Sequence, residues 1–174
     1  MADFLILAIG KYLVFVFLLP LVYFWLKGKK SVVFQALLAV LIANILSLLV
    51  GIVFPALRPF ELAETSPRVP IFFLEQNSRF RTTSFPSKHA AASAAIAFSV
   101  LVDNKLLGLV LLAFALSVGA GRVWAFVHRW FDVVGGFGLG LFAAFVARFV
   151  VNHKVIGSFM AKMEAKLPPY PTHE

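Results

Sequence analysis

Seven side chains in this chain have the types and spacing to hold and cleave a phosphate: Arg58, Ser87, Lys88, His89, Arg122, His128 and Asp132. They fall into three short polar clusters: Arg58-Pro59, Pro86-Ser87-Lys88-His89, and Arg122 followed by His128 and Asp132. Each cluster sits at the end of a long apolar segment. An arginine guanidinium can grip two phosphate oxygens at once. An imidazole whose one nitrogen faces a carboxylate keeps its other nitrogen free as a nucleophile or base.

Taken singly, each cluster also has an ordinary reading. Ser87 precedes a run of alanines and other helix formers and fits an N-cap. A helix N-terminus offers free N–H groups and a positive dipole end to an anion. The same residues also describe a plain cap with surface side chains. His128 and Asp132 are four apart, so on a helix they share a face. They are either a catalytic pair or a satisfied polar pair beside a snorkelling Arg122. An ionised Asp132 at a membrane edge is costly without a partner, and His128 is the natural one. Arg58-Pro59 alone is a common boundary after an apolar helix.

The elements that must position these residues are membrane helices. The chain has 174 residues, 61% hydrophobic and only 14% charged, against about 45–50% and about 25% in soluble domains. The net charge of +8 comes from basic residues scattered among apolar segments. That pattern excludes a nucleic-acid-binding face and fits loops against anionic headgroups. The absence of cysteine excludes disulfides, thiolate metal sites and a cysteine nucleophile.

A span needs about 20 mostly apolar residues. Five stretches qualify or come close: 4–26, 31–55, 87–102, 106–123 and 133–152. The first is too long for a signal h-region and lacks a basic n-region, so it reads as a retained transmembrane helix. The third and fourth, joined at Asp103-Asn104-Lys105, read as a helical hairpin. Residues 153–167 are either an interfacial helix or a continuation of the fifth span. Within the loop at 56–86, Ile71, Phe72, Phe73 and Leu74 read as a short surface anchor. The expected fold is an all-α, polytopic membrane bundle of five to six helices, with residues 1–174 as a single domain.

Lys27, Lys29, Lys30, Lys105, Arg148, Lys154, Lys162 and Lys166 share one side in a five-span topology. The positive-inside rule makes that side cytoplasmic. The three clusters then face the outside, although Arg68, Arg79, Arg81 and Arg129 also lie there.

The order Arg-Pro, Pro-Ser-x-His, then Arg-x5-His-x3-Asp resembles the type 2 phosphatidic acid phosphatase superfamily, in its membrane lipid phosphatase branch. The likeness covers roughly residues 51–140. The chain departs from the family pattern at Gly51, where a basic residue is usual, and at Lys88, where a small residue is usual. Lys88 is the expected substitute for the missing charge, with Lys11 a lesser candidate.

The resemblance implies hydrolysis through a phosphohistidine, without cofactor or metal. His128 would attack phosphorus, oriented by Asp132, and His89 would protonate the leaving oxygen. Arg58, Ser87, Lys88 and Arg122 would hold the phosphate. The implied partners are the bilayer and a membrane lipid phosphate, with no nucleic acid. The Arg-Pro-Phe and Ser-Phe-Pro-Ser strings look most like bacterial undecaprenyl-diphosphate phosphatases, with lipid A 1-phosphate and phosphatidylglycerophosphate as rival substrates. The implied place is the bacterial cytoplasmic membrane, with the site facing the periplasm or exterior. The alternative from another class is a non-catalytic phosphate-lipid-binding or transport protein. A soluble vanadium haloperoxidase relative would share the motifs but not the apolar spans.

Overall fold

The computed structural model describes residues 12–59 and 83–166. Lys11, Arg68, Arg79, Arg81, the Ile71–Leu74 anchor and most of the 56–86 loop lie outside these residues. A 3-10 turn, Leu13–Phe17, leads into α1, Leu18–Leu26. Then come α2, Lys30–Val53; α3, Lys88–Asp103; α4, Lys105–Trp124; α5, Trp130–Asn152; and α6, Lys154–Lys166. The fold is an all-helical membrane bundle, as the apolar pattern predicts. Among the described residues, three helices, α2, α4 and α5, are long and apolar enough to cross a membrane.

The third expected span has a different character. α3 has 16 residues, so it is about 24 Å long at 1.5 Å per residue and falls short of roughly 30 Å of hydrocarbon. It is the centre of the bundle, packed against α2, α4 and α5. Its sequence explains why. Ala90, Ala91, Ala94, Ala95 and Ala97, with Ser93 and Ser99, are all buried. In a bilayer, helices associate by close packing rather than by exclusion from water, and small residues let backbones approach. Alanines of α2 and α5 (Ala39, Ala43, Ala143, Ala144 and Ala147) complete one face of this core. Larger residues, among them Phe17, Phe24, Val100 and Leu111, fill the space toward α1 and α4. The large side chains that point outward are apolar too, including Ile52, Leu106, Phe145 and Phe149. That is the surface a lipid solvent requires.

The junctions are tight. Asn104 both ends α3 and caps α4, its Oδ1 accepting from the Leu107 N–H at 3.0 Å. This is the expected hairpin. At the other end of α5, His153 adopts an extended backbone and breaks the helix. α6 then packs against both α5 and α2, with Met160 buried and Phe159 exposed. So residues 154–166 form a separate helix rather than a straight extension of the fifth span.

Gly51 near the end of α2 packs on Thr83 and Phe85, Gly119 of α4 on Val133, and Gly136 of α5 on Ser87. One end of the bundle therefore gathers the C-terminal end of α2, the N-terminus of α3, the C-terminus of α4 and the N-terminus of α5. All three polar clusters sit at that end.

Candidate active site

Asp132 is the hub. It occupies the first turn of α5 and is fully buried. Its Oδ2 accepts from the Arg129 backbone N–H at 2.8 Å and from the Ser84 hydroxyl at 2.5 Å. The same oxygen lies 3.5 Å from His128 Nδ1. Its backbone carbonyl accepts from the Ser87 N–H at 3.0 Å. One residue thus ties the first turn of α5 to the second cluster through both its backbone and its side chain.

The His128–Asp132 contact has a different origin from the one their spacing suggests. α5 begins at Trp130, so His128 is not on the helix and the two do not share a helical face. The chain turns after α4 through Phe126, which has φ of 55°, in the left-handed region that β-carbons disfavour. His128 lies in that turn, just before the N-cap Arg129. An acidic residue at the third helical position reaches back to the N-cap N–H, half of a capping box. That reach swings the Asp132 carboxylate toward His128. At 3.5 Å the pair is within ion-pair range but lacks the alignment of a full hydrogen bond. Catalytic hydrogen bonds are often long until substrate tightens them.

Arg122 closes α4 and is buried. Its carbonyl accepts from the N–H groups of Val127 and His128 at 3.2 and 3.3 Å. The turn carrying His128 is therefore folded directly onto Arg122. Arg58 is buried as well. Both guanidinium charges act on His128. Burial in the first place, and then the charges of Arg122 and Arg58, hold its imidazole below the ordinary histidine pKa of 6.5, against the opposing pull of Asp132. Arg58 of the first cluster and His128 of the third, 70 residues apart in the chain, are both buried at this end of the bundle.

Ser87 occupies the N-cap position of α3, as its neighbours predict, but its hydroxyl makes no capping bond. The Oγ is buried and has no hydrogen-bond partner among the described residues. Lys88 and His89 form the first turn of α3 and are half-buried. The expected residues Arg58, Ser87, Arg122, His128 and Asp132 are thus gathered into one buried cluster, and Lys88 and His89 border it through Ser87. Ser84 belongs to the cluster and was missed by the sequence reading. Its only signal was its place in the Ser-Phe-Pro-Ser string. Among the described residues, no three of His, Cys, Asp or Glu converge to hold a metal ion.

The structure also accounts for Gly51. A β-carbon there would lie 3.0 Å from Thr83 Oγ1 and 3.4 Å from the Phe85 carbonyl oxygen. The strap from Thr83 to Ser87 packs directly on α2 at this point. It is fixed there by the Ser84 N–H, which donates to the Ala56 carbonyl at 2.8 Å. A long basic side chain has no room until that strap moves.

The profile of the PAP2 superfamily matches residues 32–155, a segment that contains every residue of the cluster. The chain belongs to the PAP2 superfamily. Among curated relatives, it is 30% identical over 139 residues to the bacitracin transport permease protein BcrC of Bacillus licheniformis, covering 78% of this chain and 65% of the relative. It is 25% identical over 148 residues to the undecaprenyl-diphosphatase BcrC of Bacillus subtilis (strain 168), covering 83% of this chain and 72% of the relative. The chain thus spans somewhat under two thirds of the first relative's length. No solved structure matches it.

Proposed function

We propose that this PAP2 superfamily member is a metal-independent lipid phosphatase that removes the terminal phosphate of undecaprenyl diphosphate through a phosphohistidine on His128. The observation that carries the reading is the buried imidazole of His128, 3.5 Å from Asp132 Oδ2, in a fold that also buries Arg58 and Arg122. Phosphoryl transfer asks chiefly for positioning and charge compensation, and this cluster supplies both.

Nδ1 faces Asp132, which leaves Nε2 of neutral His128 to attack phosphorus. As the N–P bond forms, the P–O bond to the leaving lipid phosphate breaks, and His89 gives that oxygen a proton. Arg58 and Arg122 neutralise the equatorial oxygens, aided by Lys88, the unpartnered Ser87 hydroxyl and the backbone N–H groups that open α3. Water, deprotonated by His89, then attacks phosphorus. The N–P bond breaks, inorganic phosphate leaves, and both histidines regain their starting states.

Undecaprenyl diphosphate is favoured because one relative carries the name undecaprenyl-diphosphatase. Lipid A 1-phosphate and phosphatidylglycerophosphate present the same terminal phosphate chemistry. The site faces the outside of the bacterial cytoplasmic membrane in this reading, because Lys27, Lys29, Lys30, Lys105 and Lys154 lie at the opposite end of the bundle. The second reading, a non-catalytic binder or transporter, draws on the name bacitracin transport permease. Purified protein in detergent, given the three lipids in turn with EDTA present, decides between them. Phosphate release with the highest kcat/KM for undecaprenyl diphosphate is expected. Absence of turnover on all three favours the second reading, and a requirement for added divalent metal contradicts the mechanism.

A further inference from the structure

We propose that Ser84 is a positioning residue, which aims the Asp132 carboxylate at His128 and thereby fixes the imidazole tautomer. The inference rests on the catalytic reading of His128 given above. Asp132 on its own has a sufficient structural occupation, since the Arg129 N–H at 2.8 Å makes its carboxylate an ordinary helix-capping group. That single bond leaves the carboxylate free to pivot about it. Ser84 supplies the second restraint. Its hydroxyl donates to the same oxygen, Oδ2, at 2.5 Å, and it is Oδ2 that lies 3.5 Å from His128 Nδ1. Oδ1 is buried with no partner among the described residues. All the directed contacts of the carboxylate therefore converge on the one oxygen that faces the imidazole.

The restraint is built from outside the helix that carries Asp132. Ser84 lies 48 residues earlier in the chain. It is buried, and its own N–H is anchored on the Ala56 carbonyl, two residues before Arg58. Close packing of Thr83 and Phe85 on Gly51 holds the strap against α2. The carboxylate is thus fixed by a segment that is itself fixed to the Arg58 loop. Outer-shell partners that orient a metal-bound imidazole commonly matter about 10–100-fold when removed, and the same geometric role is assigned to Ser84 here.

The test uses the full chain in detergent with undecaprenyl diphosphate as substrate, and asks first that wild type turns over and His128→Ala does not. Failure at that step sinks the phosphatase reading, not this inference. Ser84→Ala is expected to lower kcat about tenfold or more with KM within about twofold. In an Asp132→Asn background the same substitution should cost nothing further, because residues acting as one unit are not additive. An unchanged kcat in Ser84→Ala, or an equal loss in the Asp132→Asn background, overturns the proposal. A second readout needs no turnover. Nitrogen NMR of histidine-labelled protein should give a single Nδ1–H tautomer for His128 in wild type and a mixture in Ser84→Ala, with the other three histidines unmoved. A His128 signal identical in the two proteins overturns it as well.

Discussion

At the scale of residues, the proposed mechanism depends on His128 being neutral. Its pKa is lowered chiefly by burial and then by the two arginines, so the imidazole stays unprotonated further into the acid range than an ordinary histidine. The sign follows directly: a nucleophile that must be neutral is lost only as pH falls through its own depressed pKa. The acid limb of kcat/KM should therefore lie below pH 6.5, the ordinary histidine value, in a pH profile of phosphate release from undecaprenyl diphosphate. A limb above that value would mean that burial and the arginines do not lower the pKa of the proposed nucleophile. Asp132→Asn should cost about a thousandfold or more in kcat, by analogy with the loss of the orienting carboxylate in serine hydrolase triads. Single-turnover kinetics would separate this from weakened binding.

At the scale of elements, the site is made by close approach. A β-carbon at Gly136 would sit 2.5 Å from the Ser87 carbonyl and 3.0 Å from the Ala90 β-carbon. α3 and α5 therefore touch backbone to backbone where they carry Ser87 and Asp132. Gly136→Ala should push the two apart. The expected cost is about 1–3 kcal/mol of stability, as for other overpacked cores, with a loss of kcat beyond what the thermal unfolding shift explains. Equal activity with a lowered melting temperature would separate packing from positioning. The helices were legible in the sequence because runs such as 31–55 have only one physical reading. The central role of α3 was not foreseen: its alanines read only as helix formers and its length as a short span, because which helices surround it is a long-range property. The His128–Asp132 pair was foreseen for the wrong reason. Four-residue spacing suggested a shared helical face, whereas a left-handed Phe126 and a capping carboxylate bring the two together. Ser84 and the packing at Gly51 are long-range contacts, which local periodicity does not encode.

At the scale of the whole molecule, the proposed site residues gather at one end of α2, α4 and α5, whereas Lys30, Lys105 and Lys154 lie at or beyond their other ends. The chain contains no cysteine, so single cysteines report topology cleanly. Leu57 is exposed beside Arg58, and Lys105 is exposed at the α3–α4 hairpin. In intact cells, Leu57→Cys should react with a membrane-impermeant maleimide, and Lys105→Cys should react only after permeabilisation. The reverse pattern would turn the site toward the cytoplasm and remove the basis for an outer-face reaction.

The most direct test of the central claim is to trap the covalent intermediate. Undecaprenyl diphosphate carrying a radiolabel in its terminal phosphate is mixed with the purified chain in detergent and EDTA, and quenched within a turnover. The mechanism predicts label on the protein that is stable to base, labile to acid, located at His128, and absent from His128→Ala. Rapid turnover by wild type with no label at His128 under any quench time, or a His128→Ala variant of near-normal activity, would contradict it.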